Sequence, residues 1–177
     1  MYLGIHLKNL LLLIVVALAL LACEQKENPK TIKPLVQKNG LLFEDSTSTK
    51  PFTGRHKSKM LDLKIEYDVV NGIKEGDFIV YHPNSKIQMI GKMKNNKNVG
   101  FWKYYFLNGT MQTSGFYNND VPDSLWTWYY ENGKIAEAGK YKNGLRDGDW
   151  KNYDTSGILK IVRLYKDDKL IDSTKIN

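Results

Sequence analysis

The side chains able to run acid-base, metal or nucleophilic chemistry are few and scattered. Of three histidines, His6 lies at the N-terminus, and His56 and His82 stand alone in loop-like contexts with no second histidine or cysteine at ligand spacing. Two carboxylate pairs, Asp147/Asp149 and Asp167/Asp168, have the residue types for general acid-base work. Both flank turn sequences (KNGLRDGD, YKDDKL), where an aspartate side chain satisfies nearby backbone N–H groups. No Gly-x-Ser-x-Gly, phosphate-cradling glycine loop or calcium-loop spacing occurs. The expectation is no catalytic residue, no metal and no cofactor, with an enzyme as the least favoured class.

The single cysteine, Cys23, has a context of its own. Leu10 to Leu21, LLLLIVVALALL, is an unbroken apolar run of twelve residues, preceded by Lys8 and followed by Ala22. Such a run is too short to cross a bilayer as a helix and has the length of a signal-peptide core. Leu20-Leu21-Ala22-Cys23 resembles the lipobox of bacterial lipoprotein signal peptides, which are cut ahead of a cysteine whose thiol then carries diacylglycerol. The resemblance implies a signal peptide over residues 1–22, lipid attachment at Cys23, and a membrane-anchored place in the bacterial cell envelope, facing the periplasm or the surface. Acyl chains such as palmitate bury methylenes worth about 0.8 kcal/mol each, so two or more hold the protein stably. A domain that spends its cysteine on an anchor folds without a disulfide. Loss of Lys8 with the peptide lowers the formal charge of +7 by one. The remaining lysines fall mostly in turns such as KMKNNKNVG, where they solvate loops and blunt strand edges, and no nucleic-acid partner is expected.

Beyond Cys23 the polar stretch EQKENPKTIKP reads as a flexible tether, and LVQKNGLLFE as two short apolar runs about Asn39-Gly40. Residues 23–50 are thus lipidated cysteine, tether and entry segment, and residues 51–177 the folded domain. Within that domain apolar residues alternate with polar ones, as in MLDLKIEY, and the helical period does not appear.

An internal repeat dominates the domain. Gly76, Gly100, Ser124 and Gly148 start units 24 residues apart, and a degenerate unit begins near residue 52, with Tyr67 nine residues ahead of Gly76 where later units have seven. Two positions on stand Phe78, Trp102, Trp126 and Trp150; five on, Tyr81, Tyr105, Tyr129 and Tyr153. The turn column reads Asn84, Asn108, Asn132 and Ser156, then Ser85, Gly109, Gly133 and Gly157. Further columns hold Ile87, Met111, Ile135 and Leu159; then Gly91, Gly115, Gly139 and Arg163; then Met93, Tyr117, Tyr141 and Tyr165. Asn-Gly between alternating apolar residues signals a hairpin with a two-residue type I′ turn. Placing that turn on Asn132-Gly133 sets Trp126 opposite Gly139 and Trp128 opposite Glu137, with the glycine leaving room for the indole. A second turn, such as Asn143-Gly144, leads into the next unit. The predicted fold is all-β, an elongated antiparallel meander of hairpin repeats in a single-layer sheet.

The pattern G-x-W-x-x-Y-x-x-N-G followed by G-x-Y-x-N-G-x-x-x-G resembles the variant MORN repeat, a family often labelled YwqK-type toxin-antitoxin antitoxins. Lys50 to Gly54, KPFTG, is similar to the entry segment of such proteins, and the likeness runs over roughly residues 50 to 170. It implies a sheet that serves interaction or scaffolding and has no active site.

Aromatic density is the remaining feature that bears on function. Strand side chains alternate, so Trp126, Trp128 and Tyr130 share one face and Tyr129 takes the other. A single layer cannot bury both faces, so one aromatic row is core-like and the other partly wet. Trp128 is peculiar to its unit, the other copies having Val80, Tyr104 and Asn152. Trp128, Tyr104 and Tyr130 are the candidate binding residues. The favoured function is an envelope lipoprotein presenting its sheet to another envelope protein. The alternatives are a carbohydrate-binding module, since W-x-Y-Y with NG is also similar to choline- and glucan-binding repeats, and an immunity or antitoxin protein that neutralises a toxin.

Overall fold

The computed structural model describes residues 33–61 and 63–176; Cys23 and the apolar run before it lie outside them. The described residues contain no helix. Thirteen strands follow one another: β1 Val36–Lys38, β2 Leu41–Phe43, β3 Gly54–Met60, β4 Leu63–Val70, β5 Ile73–Tyr81, β6 Ile87–Lys94, β7 Lys97–Tyr105, β8 Met111–Asn118, β9 Val121–Tyr129, β10 Ile135–Lys142, β11 Leu145–Tyr153, β12 Leu159–Lys166 and β13 Lys169–Lys175. β3 to β13 form one sheet of 11 strands in sequence order, every neighbour antiparallel, which is the predicted meander.

Two kinds of turn alternate along it, and their assignment differs from the sequence expectation. Units are joined by two-residue turns at Asn71-Gly72, Asn95-Asn96, Asn119-Asp120, Asn143-Gly144 and Asp167-Asp168, every one of these residues at positive φ between 47° and 83°. These are the type I′ turns, and only Gly, Asn and Asp hold that conformation at little cost. Inside each unit the turn is wider. At Asn132-Gly133 the Tyr130 N–H donates to Lys134 O at 2.8 Å and the Gly133 N–H to Tyr130 O at 2.9 Å. Three residues therefore close this hairpin, and only Gly133 takes positive φ, at 82°. The extra residue is absorbed as a bulge between Ile135 and Glu137, after which Trp128 pairs with Glu137 and Trp126 with Gly139, as the tighter turn had required. Asn132 is spent otherwise: its Oδ1 accepts the Lys134 N–H at 3.0 Å, and its Nδ2 donates to Thr155 O in the next turn at 2.8 Å.

A second bulge recurs where one unit meets the next. Between β10 and β11 the pair Ala138↔Lys151 gives way to Lys140↔Asp147, so β11 has two residues more than its partner there. The same slip occurs at β4/β5, β6/β7 and β8/β9. Its hinge is the start column of each unit, Gly76, Gly100, Ser124 and Gly148, with φ of 115°, 71°, 59° and 83°. The bulge carries the following tryptophan onto the preceding strand. A Cβ on Gly139 would lie 2.2 Å from Trp150 Cδ2, one on Gly115 2.1 Å from Trp126 Cδ2, and one on Gly91 2.1 Å from Trp102 Cδ2. Gly139 is thus in register with Trp126, but the indole seated on it is Trp150.

The ends of the sheet follow from the same contact. Tyr67 is no displaced member of a later tyrosine column; it occupies the glycine column, 24 residues before Gly91, and its ring stacks 6.0 Å from Phe78, which replaces tryptophan. At the far end Thr174 stands 24 residues after Trp150, no indole needs room, and Arg163 fills the glycine position. The entry segment is also ordered. β1 and β2 pair about Asn39-Gly40; a backbone bond from Leu42 N to Gly72 O at 2.9 Å fastens this hairpin to the β4–β5 turn, and one from Gly72 N to Phe52 O at 2.7 Å fastens the segment between β2 and β3 to the same turn.

Gly115→Ala tests the glycine requirement, because the methyl would have to displace Trp126 from the backbone of β8. Overpacking of this kind costs about 3 kcal/mol, to be read from urea unfolding midpoints. Ser124→Gly should act in the opposite sense, raising stability by about 0.5–1 kcal/mol by relieving the positive φ of a non-glycine residue.

Candidate functional site

One face of the sheet carries a continuous row of rings. From Phe52 it passes through His56, Tyr67, Phe78, Trp102, Tyr117, Trp126, Tyr141, Trp150 and Tyr165, each centroid within 6.2 Å of the next. The tryptophans are the buried members, Trp102 and Trp150 at 2% exposure and Trp126 at 6%. Tyr117 stands edge-on between Trp102 and Trp126, and Tyr141 between Trp126 and Trp150, at interplanar angles of 82° to 89°. Edge-to-face contacts of this kind add to the gain from burial. Each buried indole N–H is satisfied by backbone: Trp102 by Val99 O at 3.3 Å, Trp126 by Phe116 O at 3.1 Å, Trp150 by Lys140 O at 3.2 Å. The other tyrosine column is half-buried and closes the wide turns, pairing Tyr81, Tyr105, Tyr129 and Tyr153 with Ile87, Met111, Ile135 and Leu159.

Three of the units match the model of the MORN repeat variant. The matched segments are residues 74–95, 122–143 and 146–167, each running from one tight turn to the next. The intervening β7–β8 hairpin has the same register and the same wide turn. No curated protein matches the chain.

Against the regular 24-residue frame, the departures define the candidate site. The column two residues past Phe78, Trp102, Trp126 and Trp150 holds Val80, Tyr104, Trp128 and Asn152. Val80 is buried and seals its unit, whereas Tyr104 and Trp128 are half-exposed. Both face Thr113, which pairs with Tyr104 on one side and Trp128 on the other. A shallow, open concavity of about 540 Å³ lies over them, lined also by Phe106, Gln112, Tyr117, Trp126 and Tyr129. The Tyr104 and Tyr117 hydroxyls meet at 3.4 Å, and burial followed by this contact pushes the Tyr104 phenol above its ordinary range. Two of the three candidate binding residues are therefore brought together. Tyr130 is not: it follows the end of β9, and its hydroxyl donates to Tyr153 O at 2.7 Å, tying its turn to the next. Thr113 went unnoticed in the sequence because its pairing with Trp128 depends on the Ser124 bulge.

The titratable groups have structural employment. Asp147 meets Lys166 at 2.7 Å, and that lysine holds its carboxyl below the usual range. Asp168, in a tight turn, accepts the Arg146 N–H at 2.9 Å. His82 does sit at a turn, its Nε2 2.9 Å from Tyr105 O. His56 corrects the expectation of a loop: it lies within β3, buried against Phe52 and Tyr67, and its Nε2 has no partner among the described residues. No group of three metal-ligating side chains occurs among the described residues.

Burial lowers the His56 pKa. The unfolded chain, with an ordinary value of about 6.5, then binds a proton that the folded chain refuses. Stability is full above that pH and falls as pH drops toward the lowered folded value. Denaturant midpoints measured from pH 7.5 to 5 should decline for the wild type, and His56→Phe should flatten that decline.

Proposed function

We propose that this protein acts by binding rather than by catalysis, as a lipid-anchored envelope protein whose repeat sheet docks another envelope protein. One observation on the face opposite the ring row supports the docking role. Phe101 and Phe116 pair across β7 and β8, and Leu125 follows on β9, with exposures of 54%, 41% and 52%. Along the same two columns the preceding unit holds Asp77 and Lys92, joined at 3.0 Å, and beyond Leu125 stand Lys140 and Asp149, with Leu164 reappearing past them. The Phe101, Phe116 and Leu125 patch is therefore bounded on both sides by charge, the layout of a protein contact. Strands joined by tight turns present it with little ordering cost on association. Anchoring is supported by the apolar run, Ala22 and Cys23.

Replacing Phe101 with a photo-crosslinking amino acid in intact cells should trap a discrete protein, and adding Leu125→Asp should abolish that product. Absence of a product, or one indifferent to Leu125→Asp, argues against the docking face. Cys23→Ser should move the protein from the membrane to the soluble fraction and remove labelled palmitate; retention on membranes with the label intact would defeat the anchor.

A further inference from the structure

We propose that Trp128 and Tyr104 form a stacking platform for a neutral saccharide on the ring-bearing face, a binding site separate from the apolar patch behind it. The first support is the orientation of the rings. Trp126 lies face-down on β8, since three atoms at its ring fusion crowd the vacant Cβ position of Gly115. The Trp128 plane is tilted only 32° from it. Trp102 likewise lies on Gly91, and Tyr104 is inclined 28° to Trp102. Both half-exposed rings therefore turn a flat face outward rather than standing on edge.

Their spacing is the second support. Tyr104 and Trp128 are both paired with Thr113, one on each side, so they sit two strand spacings apart, about 9–10 Å. The residue between them is short and bears a hydroxyl. A chain of sugar rings laid across the strands can rest its C–H faces on both aromatics while its hydroxyls reach the Tyr104/Tyr117 pair, Thr113 itself being buried. Stacking on a π face with polar atoms at the rim is the property that suits these side chains to such a ligand.

Hydrogen-bonding capacity is the third. Among the described residues the indole N–H groups of Trp102, Trp126 and Trp150 are all bonded to backbone carbonyls, and that of Trp128 is bonded to nothing. Trp128 alone keeps a donor for a ligand. Its ring is meanwhile in contact with Trp126, Tyr141 and Trp150, at 5.9, 6.5 and 5.6 Å. A platform supported in this way loses little freedom when occupied.

Charge selects the ligand class. None of the residues lining the concavity is charged at neutral pH, and Glu137, which pairs with Trp128 from β10, does not line it. A cationic or anionic group would find no counter-charge there, whereas a neutral polyol needs none. The volume of about 540 Å³ falls within the usual size of small-molecule sites.

The test uses the full-length chain in detergent, titrated with neutral glucose oligomers, N-acetylglucosamine oligomers, a uronate oligomer and a proline decamer, followed by tryptophan fluorescence and calorimetry. At least one neutral oligomer should bind saturably and change the fluorescence. Trp128→Asn, which installs the residue the following repeat carries at that position, should weaken binding at least tenfold in a protein that still unfolds in one cooperative transition, at a lowered midpoint. Should that variant fail to fold, Tyr104→Val, copying the preceding repeat, should produce the same loss. Absence of saturable binding by any neutral oligomer, binding undiminished in both variants, or binding by only the uronate or proline probe would overturn the proposal. The Phe101 crosslink is unaffected by Trp128→Asn if the two surfaces are separate, so the failure of either function can be told from the failure of the other.

Discussion

An indole lying flat on a residue with no side chain is the contact on which the rest of the sheet depends. A single layer has no second layer against which to bury its large side chains, and free-standing hairpins are marginal in water. This protein builds a core within the layer by folding Trp102, Trp126 and Trp150 onto the backbone of the preceding strand at Gly91, Gly115 and Gly139. Each indole then has an edge-on tyrosine on at least one side and is bonded through its N–H, and exposure falls to a few per cent without a covering element. The bulge at the head of each unit is part of the same device, because without its two extra residues the indole would not arrive over the glycine. Where the contact ends, so does the glycine: Tyr67 under Phe78 at one edge, Arg163 with no following indole at the other.

Much of this was legible in the residues. The 24-residue period, hairpins as the unit, the antiparallel order and the pairing of Trp126 with Gly139 all follow from column matching and the alternation of strand side chains. The exchange of the two turns was harder to see, because Asn-Gly appears at both Asn132-Gly133 and Asn143-Gly144 and a dipeptide does not state its own φ. The better discriminator lay in the column itself. Asn71, Asn95, Asn119, Asn143 and Asp167 are each followed by Gly, Asn or Asp, all tolerant of the left-handed region, whereas the wide-turn column ends in Ser156 before Gly157.

The candidate site was legible only within strands. Trp128 stands out by comparison with Val80 and Asn152, and its sharing a face with Trp126 needs only the two-residue period. Its neighbours across β8 and β9 require the bulge at Ser124, which shifts the register by two and moves Thr113 into place. Tyr130 follows the end of β9, and strand alternation alone does not reveal that its hydroxyl is spent on Tyr153 O. The frame thus separates two kinds of position: the glycine and tryptophan columns, dictated by the backbone, and the adjoining columns, which vary from unit to unit and carry whatever individuality the two faces possess.

The turns also bond to one another in a fixed direction. At one end Asn84, Lys86, Asn132 and Lys134 each donate a side-chain N–H to a carbonyl 22 or 23 residues ahead. At the other, Asn96, Asp120, Gly144 and Asp168 donate their backbone N–H to a carbonyl 22 residues behind. The units headed by Gly76 and Ser124 therefore offer their successors the same bonds, while the unit headed by Gly100 uses Thr110, whose hydroxyl donates to Glu131 O at 3.2 Å. The tight-turn bond is backbone only and recurs at each junction from Asn96 onward, so duplication or loss of one 24-residue segment within the gene leaves that seam matched whatever side chains the units carry.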